Sequence, residues 1–153
     1  MKRDPKEETI RRRMAPGVLA QDGFLGHDQR SLQEIVAEDL AELAAAEVSL
    51  AELGEFLDRI HQTADAGLET TCPMCDGALS VRLAEGMGRI PCPFACGFRA
   101  HKGIVHVQAG SLSHRLTPLQ IHLIKEHGFF QGRGAPFRLS PRQLAELYRK
   151  CGS

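Results

Sequence analysis

Tryptophan is absent from this chain of 153 residues, tyrosine occurs once, and aromatic residues make up only 5% of it. A core held together by large aromatic side chains is therefore excluded. A region of about eighty residues built this way is marginal on apolar burial alone. No apolar run approaches the length of a membrane span, so no contact with a membrane is expected. Basic residues near the start have no apolar stretch behind them, which speaks against a signal peptide and for a soluble, cytoplasmic protein with reduced thiols. There is no phosphate-binding loop, dinucleotide fingerprint or nucleophile elbow, and those absences remove the commonest enzyme classes that a motif would reveal.

Net charge is also lacking, but the zero conceals a division. Residues 1–70 hold 8 Lys/Arg against 15 Asp/Glu, a net of −7, and residues 71–153 hold 11 against 4, a net of +7. The acidic part is rich in helical patterns and the basic part carries the cysteines. Such asymmetry fits a basic face for nucleic acid, or two halves that attract each other.

What is present is a set of paired thiols. Cys72-Pro73-Met74-Cys75-Asp76-Gly77 opens a stretch that closes with Cys92-Pro93-Phe94-Ala95-Cys96-Gly97. Thiolates two or three residues apart in a tight turn can point at one cation, and two such turns supply the four ligands of a closed zinc site. The residues between read as a hairpin: Ser80–Leu83 alternates as a strand, Glu85–Gly88 turns, and Arg89-Ile90 returns toward Cys92. Cys72, Cys75, Cys92 and Cys96 are thus one candidate ligand set for Zn2+. A second set keeps Cys92 and Cys96 and adds His122 and His127, which sit like the histidines of a finger helix, although the intervening segment is about twice the usual finger length. Cys92 and Cys96 are common to both. A structural zinc supplies on the order of 10 kcal/mol of apparent folding free energy, enough to offset a thin core.

Helix signals punctuate the rest. Asp4-Pro5-Lys6-Glu7 reads as a helix start whose last turn carries Arg11, Arg12 and Arg13. Ser31-Leu32-Gln33-Glu34 and Ser49-Leu50-Ala51-Glu52 are capping boxes, predicting an antiparallel helical pair that ends near Ala46 and Gly67. Its outer faces are acidic, with Glu34, Glu38, Asp39, Glu42, Glu47, Glu52, Glu55 and Asp58, a composition that repels phosphate and rules out DNA reading through this pair. Gly103–Val107 and Leu112–Leu116 read as strands around an Ala109-Gly110-Ser111 turn. Thr117-Pro118-Leu119-Gln120 and Ser140-Pro141-Arg142-Gln143 start two further helices, the first stopping at Gly128. Between them Phe129–Arg138 is aromatic and basic. It is the best local candidate for stacking on bases, and equally a loop whose three phenylalanines pack beneath it. Cys151 sits in the tail with no expected role.

His122-Leu123-Ile124-Lys125-Glu126-His127 places two histidines five residues apart, about 140° around a helix, and matches no zinc-peptidase pattern. A site closed by four protein ligands has no open position for water or substrate. No enzymatic activity is expected.

The paired knuckles, each followed by a glycine within two residues, resemble the zinc-ribbon class over about residues 70–100, which implies a bound zinc and a binding role rather than catalysis. Gly23-Phe24-Leu25-Gly26 together with Ile121–Phe129 is similar to small bacterial cytosolic proteins, a likeness that implies no activity. The expectation is an α+β protein: an acidic helical region over 1–70, then a basic, zinc-ribbon-like region over 71–153 with a small antiparallel sheet and two C-terminal helices. Its expected partner is nucleic acid or an acidic protein, met by Arg82, Arg89, Arg99, Lys102, Arg133 and Arg138. The competing reading is a protein–protein adaptor acting through the acidic helices.

Overall fold

The computed structural model describes residues 5–152, so the capping role expected of Asp4 lies outside the described residues. Helices α1 (Pro5–Arg13), α2 (Leu32–Ala45) and α3 (Leu50–Ala66) precede strands β1 (Cys72–Met74), β2 (Leu79–Pro91), β3 (Arg99–Ala109) and β4 (Leu112–Leu116), and α4 (Pro118–His127) and α5 (Pro141–Lys150) follow. The protein is α+β, with one antiparallel sheet in the order β1-β2-β3-β4. No described helix is long and apolar enough to cross a membrane.

Helix boundaries follow local chemistry. Ser31, Ser49, Thr117 and Ser140 each accept a hydrogen bond from the third helical N–H, while Glu34, Glu52, Gln120 and Gln143 reach back to the cap backbone. Each such exchange satisfies donors that a helix start otherwise leaves bare.

Strand β2 departs from expectation. Instead of reversing at Glu85–Gly88, it runs on to Pro91, with an irregularity between Glu85 and Arg89. It pairs with β3 on both sides of that irregularity: Val81 opposes Val107, Leu83 opposes Val105, and Arg89 opposes His101. The glycines at 86 and 88 are used for a bulge rather than a turn, since Gly88 takes a φ of +89° and the chain continues in the same direction. Met87, at the bulge, is 94% exposed.

The two helices of the expected pair pack chiefly elsewhere: α2 on α5, and α3 on α4 and β2. Beneath the sheet, Phe56, Leu57, Ile60, Leu79, Val81, Val105, Leu116 and Leu144 share one core, which draws on both sides of residue 70. A second cluster joins Met14, Phe24, Ile35, Cys92, Leu119, Leu123 and Phe129 under the far end of the sheet.

The acidic and basic halves meet in defined pairs. Asp39, expected on an outer face, is buried instead, and its carboxylate takes both guanidinium nitrogens of Arg138 at 2.8 and 2.9 Å. Arg138 also donates to the Gln131 carbonyl at 2.5 Å. Lys125 Nζ reaches Asp58 at 2.6 Å, tying α4 to α3. Asp28 accepts from Arg30 and from the Arg133 backbone N–H, holding its carboxyl well below the usual range, with the Arg30 guanidinium the largest cause. That depressed value contributes stability present at neutral pH and lost as the pH falls below the unfolded value of about 4.

Removing one partner of the Asp39–Arg138 pair leaves the other charge buried alone. Asp39→Ala is therefore expected to destabilise the protein by about 3–5 kcal/mol, measured as a shift of the urea midpoint at unchanged slope.

Candidate metal centre

The loop after β2 folds back on itself. The Cys92 N–H donates to the Phe98 carbonyl at 2.9 Å and the Ala95 N–H to the Cys92 carbonyl at 3.0 Å. Ala95 and Gly97 both adopt positive φ, +58° and +91°, and these two residues curl the loop so that Cys92 and Cys96 face one side. Arg13, at the end of α1, donates from Nε to the Pro93 carbonyl at 2.6 Å and clamps the loop from behind. This is the use made of one member of the arginine triplet; Arg11 holds the Arg30 carbonyl at 2.9 Å.

Helix α4 supplies the other half. Its buried Leu119, Ile121, Leu123 and Ile124 seat it against β3 and α3, and it ends at Gly128 in a left-handed cap. His122 and His127 project from it toward the loop. The Cys96 Sγ lies 3.2 Å from His122 Nε2, and the Cys92 Sγ lies 3.5 Å from His127 Nε2. All four ligand atoms fall within 4.8 Å of one another, a group that can hold a metal ion. Zinc bonds of about 2.3 Å to sulfur and 2.0–2.1 Å to nitrogen place ligands about 3.6 Å apart along each S–N edge of a tetrahedron. The observed separations fit that figure.

The imidazoles are held by rings from the same loop. Phe94 stacks on His127 with centroids 4.2 Å apart and planes 11° from parallel, and Phe98 stacks on His122 at 3.9 Å and 8°. Cys92, Phe94, Cys96 and Phe98 thus alternate, thiol and ring, and each thiol–ring pair addresses one histidine. Sequence reasoning missed these phenylalanines; the period of two was the available signal.

Burial sets the protonation states. It lowers the pKa of both His122 and His127, His127 adding to the effect on His122, so both rings stay neutral near neutral pH, as ligation requires. Burial also pushes the Cys92 thiol up to about 11. A cation reverses that preference, because it stabilises the thiolate directly.

The four-thiol grouping is not formed. Cys72 pairs with Val81 and Cys75 lies beyond the start of β2, whereas Cys92 and Cys96 follow its end at Pro91, so about ten residues of strand or more, on the order of 33 Å, separate them. Cys75 is joined in a disulfide to Cys151, which links the turn after β1 to the end of α5, against the expectation of reduced thiols and an idle tail. Cys72 is free and half-buried, its thiol near the Thr70 carbonyl. Only the second of the two ribbon-like knuckles faces the metal group.

Of the expected nucleic-acid contacts, Arg89, Arg99 and Lys102 are exposed on the far arm of the β2–β3 pair, Arg82 is half-buried on β2, and Arg133 is exposed. Arg138 is taken by Asp39 and is not available to phosphate. Phe129 and Phe130 are wholly buried, which removes them as stacking platforms; the loop they begin is fastened by Gly132 N–H to Phe24 O at 2.8 Å. His27, exposed, is held by its backbone N–H to the Arg133 carbonyl at 3.0 Å.

No protein-family model, curated protein or solved structure matches this chain.

One equivalent of Zn2+ or Co2+ is expected to bind, with loss of binding in Cys92→Ser and His122→Ala and retention in Cys72→Ser, read by cobalt absorption and metal analysis. Phe98→Ala is expected to weaken affinity by about tenfold or more, since groups that orient ligands typically carry that much. Because Cys92 must lose its proton, affinity is expected to rise by about tenfold per pH unit for each proton displaced, measured in competition with a chelator between about pH 6 and pH 8.

Proposed function

We propose that this protein is a zinc-stabilised, non-enzymatic binding module whose basic C-terminal half contacts nucleic acid. The observation that carries the reading is the convergence of Cys92, Cys96, His122 and His127 at separations suited to a tetrahedral ion. Two thiolates and two imidazoles favour zinc among divalent ions, and four protein ligands complete its shell. A filled shell leaves no position for a reacting water, so the ion serves the fold.

Charge supports the partner class. Arg82, Arg89, Arg99, Lys102 and Arg133 have no ion pair among the described residues, whereas Asp39, Asp58 and Asp28 of the acidic half are matched by Arg138, Lys125 and Arg30. The protein thus neutralises part of its acidic surface internally and leaves basic side chains unmatched on the sheet and its arm. Such a surface attracts phosphate, and its binding weakens steeply as salt displaces the released counterions.

The metal-loaded protein is expected to bind a mixed-sequence oligonucleotide at low salt with a logarithmic affinity that falls linearly with logarithmic salt, followed by fluorescence anisotropy. Absence of binding at low salt defeats the nucleic-acid reading while leaving the metal site standing.

A further inference from the structure

Over the middle of the sheet, the core lies against the face that carries Val81, Val105 and Leu116. Period-two alternation sends Val81, Leu83, Val105 and Leu116 into the core, and sends Arg82, His106 and Arg115 to the opposite side. Register places these three in one line: Arg82 directly opposes His106 on β3, and His106 directly opposes Arg115 on β4. Adjacent strands lie about 4.8 Å apart, so the row crosses about 10 Å of sheet.

The rows on either side carry no negative charge. The neighbouring row is Ser80, Gln108 and Ser113, polar and neutral, and on the other side lie Ala84 and Ile104. No ion pair among the described residues engages Arg82 or Arg115. At the β4 end the row opens into a recess of about 300 Å³ lined by His106, Ser113, Arg115 and Phe137. The Arg115 guanidinium sits over the Phe137 ring, 5.3 Å from its centroid, which orders the charge without neutralising it. Like charges held side by side without a counter-charge cost free energy, and a bound anion removes that cost.

We infer that Arg82, His106 and Arg115 form a phosphate-binding row on the half-exposed face of the sheet, opposite Val81, Val105 and Leu116, and that its occupant is the backbone of a nucleic-acid strand. This rests on the nucleic-acid reading above and names where the strand lies. Two guanidiniums offer paired donors to phosphate oxygens, and the imidazole between them donates as well, gaining a positive charge and a second N–H once protonated. Burial lowers the pKa of His106 first, and Arg82 and Arg115 lower it further. The other charged and titratable groups around the recess are His114 and Arg138, the latter already matched by Asp39. An anion in the row offsets the positive charge of Arg82 and Arg115 beside His106, so binding draws a proton onto His106 and strengthens as the pH falls.

The test uses the full-length, metal-loaded chain and a single-stranded oligonucleotide of about 20 nucleotides, followed by anisotropy across a salt series. The Arg82→Ala/Arg115→Ala double variant is expected to bind at least tenfold more weakly, with a salt slope reduced by about 1.4, since each lost phosphate contact on a single strand removes about 0.7. Unchanged metal content and melting temperature show that the variant is folded. His106→Gln is expected to remove the strengthening of binding at lower pH, and the His106 resonance of the wild type is expected to titrate at higher pH with oligonucleotide bound. The row is overturned if the double variant binds with unchanged affinity and slope while Arg89→Ala/Lys102→Ala, on the far arm, loses binding; the nucleic-acid reading then stands. Wild type that ignores the oligonucleotide, or that binds a poly-glutamate peptide in its place, overturns both.

Discussion

Two thiols and two imidazoles are held around one point, in a group that can hold a metal ion. Without a cation these groups present lone pairs to one another in a partly dry setting, and burial drives Cys92 toward its neutral form. A divalent ion converts that crowding into four bonds at once. Such bonds would join the loop after β2 to the helix that follows β4, tying together segments that the sheet already brings close. On the order of 10 kcal/mol from such a site, once occupied, would be comparable with the whole stability of a small domain.

The packing serves the same point. Helix α4 lies between α3 and β3, and Lys125 bonds Asp58 across the α3 contact. Arg13 fixes the cysteine loop from the side of α1, and Phe94 stacks on His127 while meeting Phe129 edge-on at 5.6 Å. The ligands are thus oriented by groups from opposite ends of the chain. The disulfide between Cys75 and Cys151 does a separate job, fastening α5 to the other end of the sheet. Electrostatics divides in a similar way: Arg138 and Lys125 of the second half neutralise acids of the first, and several of the remaining basic residues lie on the β2–β3 arm and on the sheet.

Much of the architecture was legible residue by residue. The four capping boxes, the stop at Gly128, the Ala109–Ser111 turn and the α+β class all stand where the sequence places them. Cys92 and Cys96 belong to both ligand sets that spacing suggests. The reading of Glu85–Gly88 as a reversal failed because a glycine pair serves a bulge as well as a turn, and only the neighbouring strand decides between them. Asp39 was placed outside because helical periodicity describes one face, whereas α2 meets both the core and the Arg138 loop.

By itself the sequence determined where helices begin and end, which residues alternate along strands, and that a close thiol pair would sit in a turn; each of these depends on groups within a few positions of one another. Tertiary structure alone decided the partners. His122 and His127 meet Cys96 and Cys92 across 26 and 35 residues, and Cys75 meets Cys151 across 76. Those meetings follow from β2 extending to pair with β3 and from β4 delivering α4 beneath the loop. Strand register is a property of two segments packed together, and no local pattern in either one contains it.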